Sequence, residues 1–277
     1  MIGTTTPLLA VLGTPIDHSA SPRIYNYWIR KYNKDGVYVP LNVHPVDLES
    51  VLETLPKLGF IGCNVTIPHK EKVMSLANQV TERAAQIGAA NFIMFKENGR
   101  IVADNTDGVG FLNNLLHVVP DWNAGAGAAV VLGAGGASRA VVATLRDADV
   151  PEIIVVNRTR ERAEELKTRF GKRIKVVDWR NLTLFWTTAT LIVNTTSLGM
   201  TGASVMDFSL TRMPSTAVVY DLVYKPLETD LIQYGRKAGC TTVDGLGMLL
   251  HQAAPCFEHW FGERVVIDEN VRRVAVQ

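Results

Sequence analysis

The sequence has no excess of charge of either sign, because 28 lysines and arginines are balanced by 27 acidic residues. A basic face that would bind nucleic acid is therefore not expected, and no acidic tail is visible. Only three cysteines are present, Cys63, Cys240 and Cys256, and they form no Cys-x-x-Cys pair. This spacing predicts buried free thiols in a reducing cytoplasm, with no metal site.

The sequence also lacks a segment suited to a membrane. No positively charged stretch precedes an apolar run near the first residue, so no signal peptide is predicted. The uncharged stretches 122–138 and 181–206 are interrupted by glycine and by threonine, asparagine and serine, so neither suits a spanning helix. With 277 residues, 47% of them apolar, we expect about two domains with substantial cores.

A glycine-rich turn is the most informative stretch that is present. Residues 128–139 read AAVVLGAGGASR, which indicates a strand, a turn and a helix. Gly133 would permit the tight turn, and Gly135 would let the backbone approach a pyrophosphate at the helix N-terminus. Ser138 replaces the third glycine of G-x-G-x-x-G and is small enough for close packing. The pattern predicts a dinucleotide site, with a purely structural turn as the alternative.

The end of the next predicted strand, residues 153–156, indicates which dinucleotide. Folds that prefer NAD place an acidic residue there to bind the ribose 2′-hydroxyl. This sequence has Asn157 at that position, followed by Arg158, Arg160 and Arg162. Because planar guanidinium groups suit a 2′-phosphate, the sequence favours NADP over NAD.

A second unusual stretch, GCNVTIPHKEK at residues 62–72, places Lys70 at the predicted start of a helix. A helix N-terminus disfavours an added positive charge, so a lysine there would exchange protons with a substrate hydroxyl. An ordinary exposed lysine is the alternative. His69 has no partner pattern, which favours a structural role.

Ser19 and Ser21 have helix capping as their simplest interpretation. Pro22 suits the first position of a helix, and Ser21 would then be the N-cap. A substrate contact is the alternative for both serines.

Two later polar features also allow two interpretations. The cluster DNTDG at 104–108 follows a hairpin signal and enters a helix, so Thr106 or Asp107 would cap that helix or contact a substrate. Gln252 lies on the apolar surface of a helix predicted over residues 245–261. A buried glutamine needs hydrogen-bond partners, and a bound polyol would supply them.

Seven motifs in order make this chain similar to the shikimate dehydrogenase family. They are S-x-S-P at 19–22, N-V-T-x-P-x-K at 64–70, G-A-x-N at 88–91, N-T-D-G at 105–108, G-A-G-G-A at 133–137, N-R-T at 157–159 and D-G-x-x-M-L-x-x-Q-A at 244–253. One departure is Phe92, where the family usually has threonine. It puts a neighbouring contact in question but none of the motif residues.

The resemblance implies NADPH-dependent reversible reduction of 3-dehydroshikimate to shikimate, on the route to aromatic amino acids. It implies Lys70 as the acid/base and Asp107 as its partner. The residues implied in substrate binding are Ser19, Ser21, Thr66, Lys70, Asn91, Asp107, Tyr224 and Gln252. Those implied in NADP binding are Gly133, Ala134, Gly135, Gly136, Ala137, Asn157, Arg158, Thr159, Arg160, Glu161, Arg162, Leu222 and Gly245, with Met248 and Glu82 nearby.

The resemblance also implies an α/β fold of two domains with a cleft between them. Residues 1–107, completed by 242–277, would form an N-terminal α/β substrate domain, and 108–241 a Rossmann-type NADP-binding domain. The expected partner is a small-molecule substrate, not nucleic acid or a membrane, and a homodimer is left open. A quinate- or NAD-using relative and a non-catalytic NADP-binding regulatory homologue are the alternative functions.

Overall fold

A computed structural model describes residues 3, 5–204 and 213–277 of the chain. Its strands are β1 (Leu8–Gly13), β2 (Val37–Asn42), β3 (Phe60–Val65), β4 (Gln79–Val80), β5 (Phe92–Phe95), β6 (Ile101–Asp104), β7 (Ala128–Leu132), β8 (Ile153–Val156), β9 (Ile174–Val176), β10 (Ala189–Asn194), β11 (Val218–Asp221) and β12 (Thr241–Val243). Its helices are α1 (Ser21–Lys31), α2 (Leu48–Thr54), α3 (Val73–Leu76), α4 (Glu82–Ile87), α5 (Asp107–Val118), α6 (Gly136–Asp147), α7 (Arg160–Phe170), α8 (Thr183–Trp186), α9 (Asp230–Lys237), α10 (Gly245–Phe261) and α11 (Glu269–Val276).

The chain divides into two compact units. The first unit comprises Met1–Asp107 and Leu249–Gln277, and the second comprises Gly108–Met248. The chain therefore re-enters the first unit inside α10, whereas the sequence analysis placed that point near residue 242. Helix α10 itself has the predicted bounds, Gly245–Phe261.

The first unit contains a mixed sheet with the strand order β2-β1-β3-β5-β6-β4. Strand β1 pairs in parallel with β2 and β3, and its continuous apolar sequence suits a strand covered on both faces. Strands β5 and β6 form the predicted antiparallel hairpin, in which Gly99 adopts a φ of +75°. The core of this unit includes Leu12, Cys63 and Ile93.

The second unit contains a six-stranded sheet in the order β12-β11-β10-β7-β8-β9, and every pair is parallel. This is the Rossmann order, which reverses between β7 and β10. Strands β7, β8 and β10 are apolar because helices cover both faces of such a sheet. The α/β fold with a Rossmann-type unit is therefore confirmed.

The structure corrects two predicted helix starts in the first unit. Ser21 is the first residue of α1 and not its N-cap, because Ala20 already adopts a helical conformation (φ −81°, ψ −12°). Lys70 lies in a turn before α3, which has four residues and begins only at Val73. The proposed effect of a helix N-terminus on Lys70 is therefore wrong.

None of the helices in the described part of the chain combines the length and the apolar composition that crossing a membrane requires.

Candidate functional site

A buried ion pair joins the two residues that the sequence analysis proposed as acid/base and partner. Lys70 Nζ lies 2.6 Å from Asp107 Oδ2, and the two side chains are 13% and 0% exposed. The chain folds Lys70 into place through its backbone carbonyl, which accepts a hydrogen bond from the N–H of Ala90 at 2.8 Å. A carboxylate with no solvent contact is thus compensated by the ammonium group of a side chain that is mostly buried.

Asn91 connects this ion pair to Gln252. Its Nδ2 group donates to Asp107 Oδ1 at 2.8 Å and to Gln252 Oε1 at 3.0 Å. Its Oδ1 accepts the N–H of Thr106 at 2.8 Å, which fixes the orientation of the amide. Gln252 therefore has a protein partner, while its Nε2 group has no hydrogen-bond acceptor among the described residues.

Capping is not the role of Thr106 or Asp107. The Thr106 hydroxyl bonds to Asn91, and the Asp107 carboxylate bonds to Lys70 and Asn91. The N–H of Asp107 instead donates to Asn105 Oδ1 at 2.9 Å. The capping interpretation of this cluster is therefore wrong, because long-range contacts occupy both side chains.

Ser19, Ser21 and Thr66, three other proposed substrate residues, also belong to the first unit. The Ser19 hydroxyl accepts the N–H of Ser21 at 3.3 Å, and Ser21 is buried. Thr66 is half-buried after β3, where its N–H donates to the carbonyl of Leu12 at 2.9 Å. Among the described residues, no hydrogen bond connects these hydroxyls to Lys70. Tyr224 is half-buried and belongs to the second unit.

Two residues that were not predicted as site residues, Tyr38 and Asn64, hold the backbone of Asn91. Tyr38 donates its hydroxyl to Asn64 Oδ1 at 2.7 Å, and Asn64 Nδ2 donates to the carbonyl of Asn91 at 3.2 Å. Burial raises the pKa of Tyr38 well above its ordinary value, so its hydroxyl stays protonated. Asn64 stands in the N-V-T-x-P-x-K motif, but nothing local in the sequence signals the contact of Tyr38.

His69, Phe92 and the three cysteines are buried in the structure. His69 is buried and its Nε2 bonds to the carbonyl of Val43 at 2.7 Å, which confirms a structural role. Phe92 packs edge-on against Trp260 at a centroid distance of 5.0 Å. All three cysteines are free and buried, as predicted. Glu82 lies exposed at the first position of α4.

The glycine turn of the second unit has the predicted conformation. Gly133 adopts a φ of +110°, and a Cβ there would meet Thr195 Oγ1 at 2.5 Å. A Cβ on Gly135 would meet nothing within 4 Å, so the space before the N-terminus of α6 is open. Ser138 is buried and its hydroxyl donates to the carbonyl of Gly133 at 2.6 Å, which closes the turn. Ala134, Gly136 and Ala137 complete it.

The arginines after β8 fall into two groups. Arg160 is held by Asp178 at 2.7 Å and by Glu164 at 3.0 Å. Arg158 and Arg162 are exposed, and neither forms an ion pair within the described residues. Asn157 Nδ2 donates to the carbonyl of Thr159 at 2.7 Å, which shapes the loop before α7. Glu161 is exposed in the first turn of α7.

The residues proposed for the nicotinamide end approach one another within the second unit. A Cβ on Gly245 would overlap the carbonyl group of Leu222, so only glycine permits this approach of the two backbones. The N–H of Leu222 donates to the carbonyl of Asn194 at 2.9 Å. Met248 is buried three residues after Gly245.

Comparisons with known proteins identify the family of the chain. Residues 11–93 match a family described as the shikimate dehydrogenase substrate binding domain, and residues 121–221 match one described as shikimate / quinate 5-dehydrogenase. The shikimate dehydrogenase (NADP(+)) of Ruegeria sp. (strain TM1040) is 53% identical over 266 residues, which is 96% of each chain. The chain belongs to the shikimate dehydrogenase family.

Solved structures of shikimate dehydrogenases and a related enzyme share the fold. The Thermus thermophilus enzyme in complex with NADP(H) and shikimate has a TM-score of 0.85 and 32% identity, with 98% of each chain covered. The quinate dehydrogenase of Corynebacterium glutamicum in complex with NAD has a TM-score of 0.89 and 28% identity, covering 98% of this chain and 99% of that one.

The second unit of this shikimate dehydrogenase family member fits the phosphates of NADP. Gly135 leaves open space at the N-terminus of α6, where backbone N–H groups and the helix dipole favour an anion. Asn157 brings no negative charge to the end of β8, while Arg158 and Arg162 are available nearby. These features suit a pyrophosphate and a 2′-phosphate.

Proposed function

We propose that this chain catalyses the reversible, NADPH-dependent reduction of 3-dehydroshikimate to shikimate, a step on the route to aromatic amino acids. The observation that carries the proposal is the 2.6 Å ion pair of Lys70 with Asp107. The ammonium group of a partly exposed lysine side chain lies beside a buried carboxylate, with the amides of Asn91 and Gln252 adjacent. This arrangement is suited to proton exchange with a hydroxylated ring.

Lys70 is the general acid of the proposed reduction. When bound, NADPH supplies a hydride to the ketone carbon. The ammonium group of Lys70 gives a proton to the ketone oxygen, so that the products are an alcohol, NADP⁺ and a neutral lysine. The neutral lysine regains its proton from solvent before the next turnover. In the reverse direction, the neutral amine of Lys70 accepts the proton of the substrate hydroxyl.

Asp107 and Asn91 position that lysine. Asp107 holds the ammonium group through Oδ2, while Asn91 fixes the other carboxylate oxygen at 2.8 Å. The Nε2 group of Gln252 remains able to donate to a ring hydroxyl. Ser19 and Ser21 are proposed to bind the substrate carboxylate, and Thr66 and Tyr224 its remaining polar groups.

The cofactor specificity is proposed to rest on Arg158 and Arg162. Both are exposed and have no carboxylate partner in the described chain, whereas Arg160 is already engaged by Asp178 and Glu164. Leu222 and Gly245 are proposed to line the nicotinamide, with Met248 beside it. The rest of the glycine turn and the 157–162 loop would hold the phosphates and the adenosine.

The test is the absorbance of the reduced nicotinamide with purified protein, shikimate and either NADP⁺ or NAD⁺, then quinate in place of shikimate. Rapid reduction of NADP⁺ with shikimate alone is expected. Turnover with quinate or NAD⁺ would instead indicate a broader-specificity enzyme. Binding of NADP⁺ without turnover of any pair would contradict the proposal and indicate a regulatory homologue.

The cytoplasmic location and the homodimer stay predictions. Light scattering of the purified chain distinguishes a monomer from a dimer, and cell fractionation tests the location.

A further inference from the structure

A buried carboxylate in the second unit is not used by the proposed chemistry. Asp221, the last residue of β11, is fully buried, and no lysine, arginine or histidine pairs with it among the described residues. Burial without a cation is unfavourable for a carboxylate unless hydrogen bonds compensate it. Burial accordingly raises the pKa of Asp221 to about 6, even though three hydrogen bonds lower it.

The three donors to Asp221 are Asn194, the last residue of β10, and Val223 and Thr229 in the segment that follows β11. Oδ1 accepts from Asn194 Nδ2 at 2.8 Å and from the N–H of Val223 at 3.0 Å. Oδ2 accepts from the Thr229 hydroxyl at 2.6 Å. All three lie at the carboxyl ends of parallel strands, which is where open α/β sheets bind ligands.

The bond to Val223 fixes the segment that carries Leu222 and Tyr224. Because Val223 stands between them, its N–H sets the direction of the backbone on both sides. Thr229 holds the far end of the same loop, since its hydroxyl oxygen also accepts the N–H of Ile232 and caps α9. One carboxylate therefore ties the end of β11 to both ends of the loop that follows.

Asn194 extends the network to the glycine turn. Its Oδ1 accepts from both the N–H and the hydroxyl of Thr196, at 3.0 and 2.7 Å. The neighbouring Thr195 hydroxyl donates to the carbonyl of Leu132 at 2.6 Å and faces Gly133. Asp221 is thus the junction between the loop with Leu222 and the turn proposed to hold the pyrophosphate.

We propose that Asp221 is a positioning residue that holds Leu222 and Tyr224 in place for the nicotinamide end of NADP and for the substrate. Asp221 itself touches neither ligand. This inference rests on the proposed function, because the roles of Leu222 and Tyr224 in binding are themselves part of that proposal. It goes further by assigning the geometry of that end of the site to a single buried carboxylate.

Two pairs of variants test the inference. Asp221→Asn keeps the shape of the side chain and one acceptor oxygen. In the wild type the Thr229 hydroxyl donates to Oδ2, and in the variant an amide NH₂ group takes the place of that acceptor. Thr229→Val removes that donor, and Thr229→Ser retains it. Asp230→Asn is the matched control, because Asp230 is an exposed carboxylate in the first turn of α9, next to Thr229.

The readouts are kcat, the KM for shikimate, and the dissociation constants of NADP⁺ and of 2′,5′-ADP, which contains the adenosine half only. We expect kcat to fall about tenfold in Asp221→Asn and Thr229→Val, since small displacements of positioning groups are costly. NADP⁺ should bind more weakly and 2′,5′-ADP with unchanged affinity. Thr229→Ser should retain the wild-type kcat and NADP⁺ affinity, and Asp230→Asn should match the wild type.

Two results would overturn the inference. One is wild-type kcat and NADP⁺ affinity in both Asp221→Asn and Thr229→Val. The other is an equal loss of affinity for NADP⁺ and 2′,5′-ADP, which would indicate damage to the whole unit. If the wild-type protein shows no turnover, the proposed function fails, but the two dissociation constants still test the role of Asp221.

Discussion

The two units stabilise their buried carboxylates in different ways. In the first unit, Asp107 is paired with an ammonium group, so the charge on one side chain is balanced by another. In the second unit, Asp221 receives three hydrogen bonds from neutral groups and keeps a raised pKa of about 6. A charged partner offers a proton for chemistry, whereas neutral hydrogen-bond donors fix only geometry.

This difference predicts opposite responses to the loss of charge. Removing the cation from Asp107 leaves a buried carboxylate with only the amide of Asn91 as partner, which carries a large penalty. Removing the charge from Asp221 relieves a desolvation cost while disturbing the loop geometry. Substitution of Lys70 should therefore lower both stability and activity, whereas neutralising Asp221 should lower activity without the same loss of stability.

The largest effect is expected from Lys70→Ala. Loss of the general acid should lower kcat by about 10³-fold, within the usual range for such groups. NADP⁺ binding should persist, because the proposed cofactor residues lie in the second unit. The measurement is steady-state turnover of shikimate beside a fluorescence titration with NADP⁺.

Two further variants make the Lys70 result interpretable. Lys70→Arg keeps a positive charge beside Asp107 but does not release a proton near neutral pH, so it should fold and remain nearly inactive. Lys72→Ala removes an exposed lysine two residues away and should behave as wild type. Wild-type turnover in Lys70→Ala would show that the acid/base assignment is wrong.

The next effect concerns stability and pH at Asp221. Its folded pKa of about 6 lies above the ordinary 3.8, so the folded state binds the proton more tightly. The stabilisation is therefore greatest at low pH and is lost as the pH rises through 6. Asp221→Asn cannot ionise, so its unfolding free energy relative to wild type should increase by about 2 kcal/mol between pH 4.5 and 7.

Urea unfolding of both proteins at the two pH values measures this difference. The contributions of other titrating groups are the same in both proteins and cancel when the two unfolding free energies are subtracted. Asp230→Asn should show no comparable change, because Asp230 is exposed. A difference between Asp221→Asn and wild type that stays constant with pH would mean that Asp221 does not titrate in this range. If Asp221→Asn gains stability over wild type toward pH 7 and still has a lower kcat, the loss of activity comes from positioning and not from unfolding.

The sequence predicted features in which neighbouring residues determine the backbone. The φ of +110° at Gly133, the hairpin of β5 and β6 and the bounds of α10 all follow from local patterns. The sequence alone likewise shows that position 157, at the end of β8, carries asparagine and not an acidic residue. Such signals are readable because each depends on a few consecutive residues.

Contacts between distant residues were not predictable in the same way. Asn91 and Gln252 are 161 positions apart, and Asp221 and Asn194 are 27 apart. Their hydrogen bonds exist only once the strands and α10 are packed. The predicted position of Lys70 at a helix N-terminus was wrong for the same reason. Lys70 lies in a turn, and its ion-pair partner Asp107 is distant in sequence.

A smaller effect is expected from the arginines after β8. Arg158→Ala and Arg162→Ala should each raise the KM for NADP⁺ about tenfold, since each removes a charge-assisted hydrogen bond to the 2′-phosphate. The KM for NAD⁺ should not change. Arg160→Ala is the matched comparison, because Asp178 and Glu164 already hold that side chain. If all three substitutions raised the KM for NADP⁺ equally, the proposed distinction between Arg160 and the pair Arg158 and Arg162 would be wrong.

The smallest effect is expected at Asp104, a carboxylate of the first unit whose cation is half-exposed. Burial would raise the pKa of Asp104, but hydrogen bonds from Arg83, Thr81 and the N–H of Asn105 outweigh it and lower the pKa. The stabilisation is therefore present near neutral pH and lost as the pH falls through the folded pKa, the opposite sign to Asp221. Because Arg83 is 47% exposed, Arg83→Ala should cost only about 1 kcal/mol at pH 7.

Thermal or urea unfolding at pH 7 and below pH 4 tests the Asp104 pair, with the exposed Arg100→Ala as control. The cost of Arg83→Ala should shrink at low pH because the protonated carboxyl no longer attracts the guanidinium group. A cost that grows as the pH falls would contradict the assignment. If the cost shrinks as expected, the three carboxylates differ as their surroundings require. The partly exposed Lys70 compensates Asp107, neutral donors compensate Asp221, and a cation that water screens compensates Asp104.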